Sequence, residues 1–124
     1  MVFLTLDQIL DAEDLATEEV EVPEWSGKVL CRELSALDAE ELAVMWTRWQ
    51  KEHPEMRGFP PAFRAEICAR GIVHPETHEP LFKKDQIEKL ARKNGAALDR
   101  IYPIIQRLSG MGEKKEEEKA ESPN

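Results

Sequence analysis

Apolar residues recur along this chain at two spacings, and the change from one to the other separates a short extended region from a longer helical one. In V-E-V-P-E-W-S-G-K-V-L-C-R-E-L, residues 20–34, Val20, Val22 and Trp25 alternate with Glu19, Glu21 and Glu24. That period of two, with Ser26-Gly27 in the middle, predicts an antiparallel hairpin with those two residues at a tight turn. Pro23 cannot donate to a ladder, so the first arm is expected at an edge. A lone ribbon is marginal in water and has to lay its apolar face on helices.

Elsewhere the spacing is helical. Thr5 and Gln8 have the form of a capping box, and Leu6, Ile9 and Leu10 share one face of the short helix it starts, which is expected to dock on the hairpin. Ser35 caps a longer helix in which Leu42, Met45, Trp46 and Trp49 fall at i, i+3, i+4 and i+7, ending before His53-Pro54. The hairpin is expected to pack on this helix through Leu42, Met45 and Trp49. Residues 53–61 hold three prolines and Gly58 and read as irregular, after which Pro60-Pro61 opens a helix with Phe63, Ile67 and Cys68 that stops at Gly71. Residues 72–82 read as a second turn between short apolar arms. Ile87, Leu90 and Ala91 mark a helix whose start is poorly signalled by Lys83 and Lys84. Asn94 then caps a last helix through Ala97, Leu98, Ile101, Ile105 and Leu108, where Pro103 is expected to force a bend or a restart. The fold class is α+β: one small, mostly helical domain over residues 1–110 with an N-terminal hairpin packed on helices. Residues 111–124, nearly devoid of apolar side chains, are expected to be a disordered tail.

Charge adds a direction. The formal charge is -8, and residues 1–24 carry eight acids and no Lys or Arg, leaving 17 of each sign in the remainder. An acidic segment of this kind repels phosphate backbones, which argues against nucleic acid as a partner, and it serves equally as a solubilising face or as a lure for basic surfaces. No apolar run approaches the length that crosses a bilayer. Cys31 and Cys68 are too few for a disulfide framework, and the chain opens without a charged and then apolar leader, so a reducing cytosol is the expected setting.

Reaction chemistry finds no foothold. Cys68, His74 and His78, with Cys31 or His53 as a fourth, loosely suggest zinc ligands, but no Cys-x-x-Cys pair is present and the two histidines bracket a Pro-Glu-Thr turn. Glycine-rich phosphate loops, a nucleophile elbow and a distinctive carboxylate pair are all lacking. No catalytic, cofactor or metal residue is assigned. Trp25, Trp46 and Trp49 are the candidate partner-binding residues, since tryptophan anchors many interfaces; filling the core is the alternative use for the same side chains.

Several stretches together resemble a known family: L-T-L-D-Q-I-L-D-A-E-D (residues 4–14), E-E-V-E-V-P-E-W-S-G-K-V-L-C-R-E-L-S (18–35), P-L-F (80–82), A-A-L-D-R-I-Y (96–102) and R-L-S-G (107–110). The sequence is similar to the tail assembly chaperones of long-tailed phages and prophages, with V-P-E-W, R-E-L-S and A-A-L-D-R as the most specific segments. It departs from them at Lys83, where a Ser or Thr cap is more usual, and at Pro103, and the likeness is weakest over residues 48–62. The resemblance implies a non-enzymatic protein of the host cytoplasm, absent from the finished virion, that binds the tape-measure protein and helps recruit tail-tube subunits. It also implies self-association along a long partner, and a longer form made by ribosomal slippage, for which the codons of Gly112-Glu113-Lys114-Lys115 offer a place. A small acidic adaptor or inhibitor of a host protein is the rival reading.

Overall fold

The computed structural model describes residues 2–111. The predicted disordered tail therefore lies outside the described residues except for Met111, which packs against the core and donates its N–H to the Gln106 carbonyl at 2.8 Å. The architecture is α+β, with a three-stranded antiparallel sheet in the order β1-β2-β3 and helices packed on it.

The hairpin consists of β1 (Thr17–Val22) and β2 (Gly27–Arg32), in register from Thr17 opposite Arg32 to Val22 opposite Gly27. Its connection differs from the tight Ser26-Gly27 turn that the sequence predicts. The chain reverses over four residues, with Pro23–Trp25 in a 3-10 turn, Ser26 in the left-handed region at φ 55, and Gly27 already paired in β2. Pro23 decides this. Its fixed φ suits a helical first position, where its missing N–H is not needed, so the reversal begins before Ser26 is reached. Along β1, Val20 and Val22 turn inward while Thr17, Glu19 and Glu21 face out, which is the predicted alternation. At the open end, Glu33 N–H donates to the Ala16 carbonyl and Ala16 N–H to Glu33 Oε1, both at 2.8 Å.

β3 (Ile72–Val73) adds a third strand, pairing Ile72 with Cys31 and Val73 with Leu30. β2 is thus the central strand. The predicted second turn follows, closed by His74 N–H to the Glu79 carbonyl at 2.8 Å and by a single bridge between Val73 and Pro80.

Of the helices, α1 (Leu6–Asp11), α2 (Ala36–Glu52), α3 (Phe63–Gly71), α4 (Ile87–Ala91) and α5 (Gly95–Leu108), two decide the core. Asn94 caps α5, its Oδ1 accepting from the N–H groups of Ala96 at 2.7 Å and Ala97 at 3.2 Å. From there Ala97, Leu98, Ile101 and Ile105 form a fully buried stripe that lies against both hairpin strands and α3. The sheet is covered by α5, which corrects the expectation that α2 covers it. The reason is area: α2 fully buries Leu42 alone, so the longer apolar stripe takes the sheet. α2 instead leans on α3, where Arg70 meets Asp38 at 3.0 Å, Glu41 at 2.6 Å and Glu66 at 3.4 Å.

Two further expectations are revised. Pro103 does not restart α5, which runs unbroken from Gly95 to Leu108; it sits on the outer face while Ile101 and Ile105 on either side stay buried, so packing holds the helix through the missing hydrogen bond. α1 forms with its capping box complete, Gln8 N–H to Thr5 Oγ1 at 3.2 Å and Thr5 N–H to Gln8 Oε1 at 2.9 Å, but it buries nothing. The hairpin face on which it was expected to dock is occupied by α5.

Candidate partner-binding surface

α2 presents two faces. Ser35 Oγ accepts from Asp38 N–H at 3.1 Å and starts the helix, and His53 N–H donates to the Trp49 carbonyl at 2.9 Å at its end. Leu42, Met45 and Trp46 point to the core. On the other side Leu37 and Val44, one heptad apart, stand 64% and 54% exposed, too open for side chains that pack within the domain. Two shallow apolar depressions meet at Val44, one running toward Leu37 and Met45, the other toward Ala43, Thr47 and Arg48. Their rims carry Glu40, Glu41 and Arg70 around the first, and Arg48, Lys51 and Glu52 around the second. A strip of this form, apolar in the middle with charges of both signs along its rims, can receive one amphipathic helix.

The structure places the three tryptophans in different surroundings. Trp46 meets Phe59 edge-on at 5.4 Å and Phe63 at 5.8 Å, and Phe59 in turn meets Tyr102 at 6.1 Å. This cluster joins α2, the loop before α3, α3 and α5, and gives residues 53–62 their anchor. Trp49 stacks on His53 at 3.8 Å, and its buried indole N–H meets no acceptor among the described residues. Trp25 stands apart at the hairpin loop, where with Leu81, Phe82 and Leu90 it lines a groove edged by Lys89 and Lys93. Leu37 and Val44 are not evident from the sequence pattern, because single apolar residues off the main stripe look like ordinary surface.

The sulfur and imidazole groups do not converge. Cys68 is buried in α3 with its thiol 4.0 Å from the Leu98 carbonyl, whereas His74 and His78 stay on the turn, His74 Nδ1 accepting from Glu76 N–H at 3.2 Å. Burial pushes the thiols of Cys31 and Cys68 up to about 12, so neither is a thiolate at neutral pH. Elsewhere the shifted groups are ion pairs. The hydrogen bond from Arg70 lowers Glu41, and that from Arg100, 2.8 Å from Glu24, lowers Glu24. Partial burial by itself would depress Arg70, but its bonds to Glu41 and the charges of Asp38 and Glu66 carry it above its usual value. These pairs tie α2 to α3 and α5 to the hairpin loop, where they are structural.

No protein-family model matches the chain, and no curated protein matches it. Among solved structures, that of the bacteriophage HK97 tail assembly chaperone matches over 83% of this chain and 91% of that one, with a TM-score of 0.57 and 20% sequence identity. This chain has the fold of a phage tail assembly chaperone. The likeness spans most of both chains and is not confined to a shared hairpin or helix pair. Among the described residues no helix is long and apolar enough to cross a membrane.

Proposed function

We propose that this protein acts as a non-enzymatic chaperone in phage tail assembly, holding the tape-measure protein until tail-tube subunits polymerise around it. The observation that carries this reading is the fold it shares with the HK97 chaperone across most of both chains. The exposed strip of α2 supports it: Leu37 and Val44, with charged rims of both signs around them, suit a long, amphipathic, coiled-coil-forming partner. The chaperone works in the host cytoplasm and leaves before the virion is complete.

Tail-tube recruitment belongs, in this proposal, to a longer product in which slippage at the lysine codons of Lys114-Lys115 appends a second domain. The nucleotide sequence tests that part: an adenine run and an overlapping downstream frame are expected, and interrupted codons remove it. The proposal expects a very long helical reading frame immediately downstream of this gene, and the main test is co-expression with its product. Soluble tape-measure protein in a complex that survives purification is the expected result, with binding lost in Val44→Asp. Equal solubility of the partner with and without this chain would refute the proposal.

A further inference from the structure

We infer that the free edge of β1 is a docking site for an extended, basic segment of a different protein, which pairs with it as a further strand of the sheet. β1 comes first in the order β1-β2-β3, so its outer side has no neighbouring strand. The register shows which main-chain groups face that side. Glu33 N–H donates to the Ala16 carbonyl, and in an antiparallel ladder such bonded pairs recur at every second residue, here Glu18 with Cys31, Val20 with Val29 and Val22 with Gly27. The other side of β2 agrees: Ile72 accepts from Leu81 N–H at 3.0 Å and so faces away, leaving Leu30 and Val73 as the bonded pair there. The N–H and C=O groups of Thr17, Glu19 and Glu21 are therefore directed out of the sheet, and all three residues are exposed. Among the described residues no helix, turn or loop backbone bonds to them.

Charge chooses the occupant. Edge strands are commonly guarded by charged side chains, and here the guard has a single sign: Glu19 and Glu21 stand beside the open main-chain groups on the solvent face of the sheet. Glu19 is shared with Lys28 at 2.6 Å, and among the described residues Glu21 belongs to no ion pair. A strand with Lys or Arg at alternate positions meets these acids across the ladder and supplies the missing donors and acceptors. A second copy of this chain does not, because β1 laid beside β1 brings glutamates against glutamates. The outer edge of β3 is equally closed to copies, being two residues long and already covered by Leu81 N–H, by the His74 bond to Glu79 and by the bridge from Val73 to Pro80. The chain's own last residues, 112–124, carry more Glu than Lys and have the wrong sign. The same acids thus bar like strands and admit a basic one.

The open stretch has defined ends. Ala16 is tied to the Glu33 side chain at one, and at the other Pro23 has no N–H and turns the chain into its 3-10 reversal. A segment that pairs from Thr17 to Glu21 fills it. No residue of this edge belongs to the α2 strip, which suits a helix, so the edge adds a second kind of partner segment to the one in the proposed function.

The test titrates the isotope-labelled full chain with the capped peptide Lys-Thr-Lys-Val-Lys-Thr-Lys and follows amide exchange by NMR. No tail protein is used, so the outcome is separate from that of the chaperone reading. On binding, the amides of Thr17, Glu19 and Glu21 are expected to gain protection, whereas those of Glu18, Val20 and Val22, already bonded within the hairpin, should change little. Attraction between charges alone produces no such alternation. Two further peptides are N-methylated, one at its Lys residues and the other at its Thr and Val residues; one of them, and not the other, should bind about tenfold more weakly or worse, because a paired strand turns alternate N–H groups to its partner. Glu19→Pro removes an outward N–H and no bond of the hairpin, a change that edge strands tolerate, and should weaken the parent peptide by a similar factor with unchanged circular dichroism. The methylated peptides decide the matter even where that variant fails to fold. A parent peptide that does not bind, protection without the alternation, or two methylated peptides that both bind as the parent does would each overturn the inference.

Discussion

Gly71, the last residue of α3, lies against Ile105 of α5 so closely that a β carbon there would come within 2.7 Å of Ile105 Cγ1 and 2.8 Å of Cγ2. The helix stops at Gly71, as the sequence suggests, and the missing side chain also lets two helices touch. Gly71→Ala gains about 1 kcal/mol of helix propensity and loses about 1–3 kcal/mol to overpacking, so a net loss is expected by urea denaturation. Part of the loss should be recovered in an Ile105→Val background, since neighbouring substitutions do not add.

Ser109 fastens the end of α5 to the end of the hairpin. Its hydroxyl donates to the Ile105 carbonyl at 2.7 Å and accepts from Leu34 N–H at 2.8 Å. Ser109→Ala leaves that N–H without its acceptor and is expected to cost about 1–2 kcal/mol. Amide exchange should show it, with Leu34 losing protection before the strands do.

Trp46→Ala is expected to lower stability by about 3 kcal/mol, because it removes the ring against which Phe59 and Phe63 pack. Trp25→Ala should leave the urea midpoint much closer to wild type while weakening binding of the co-expressed partner. Measuring both quantities for both variants separates a packing tryptophan from a docking one.

The Arg70 network sets an acid limit. Glu41 has an ordinary value of 4.5 and is lowered in the fold by its bond to Arg70. A lowered carboxylate contributes stability that is complete above the ordinary value and is lost as pH falls through the lowered one. Arg70→Met should therefore be less stable than the wild type at pH 7, with the gap closing toward pH 3. Urea midpoints at both pH values check it, and a gap that widens in acid would contradict the assignment.

Removing residues 1–14 should leave the thermal midpoint of the dilute protein unchanged, since no residue of α1 is buried.

The elements that were legible in the sequence carry their information locally. α2 has a cap at Ser35 and an apolar repeat, and α5 has Asn94 and a longer one, so both appear close to where they were predicted. What the pattern could not give was the partner of each face. Periodicity reports that Leu42 and Ile101 are buried, and not that the sheet takes α5. A two-residue strand such as β3 has no period to read, and its place is fixed by pairing with Leu30 and Cys31, which are distant in sequence. The capping box of α1 was readable because it is local, whereas its lack of a dock was not. Of the candidate site, the tryptophans stood out by chemistry alone; Leu37 and Val44 emerged only once the core face of α2 was known.

Cys31 and Cys68 lie wholly inside the core, free and held as thiols. An alkylating reagent can reach them only after strand and helix have separated, and α3 cannot release Cys68 without disturbing its packing on α5. The rate at which the two sulfurs are labelled is thus a clock for the opening of the whole domain. It runs without an engineered probe, and any partner that binds the folded form should slow it.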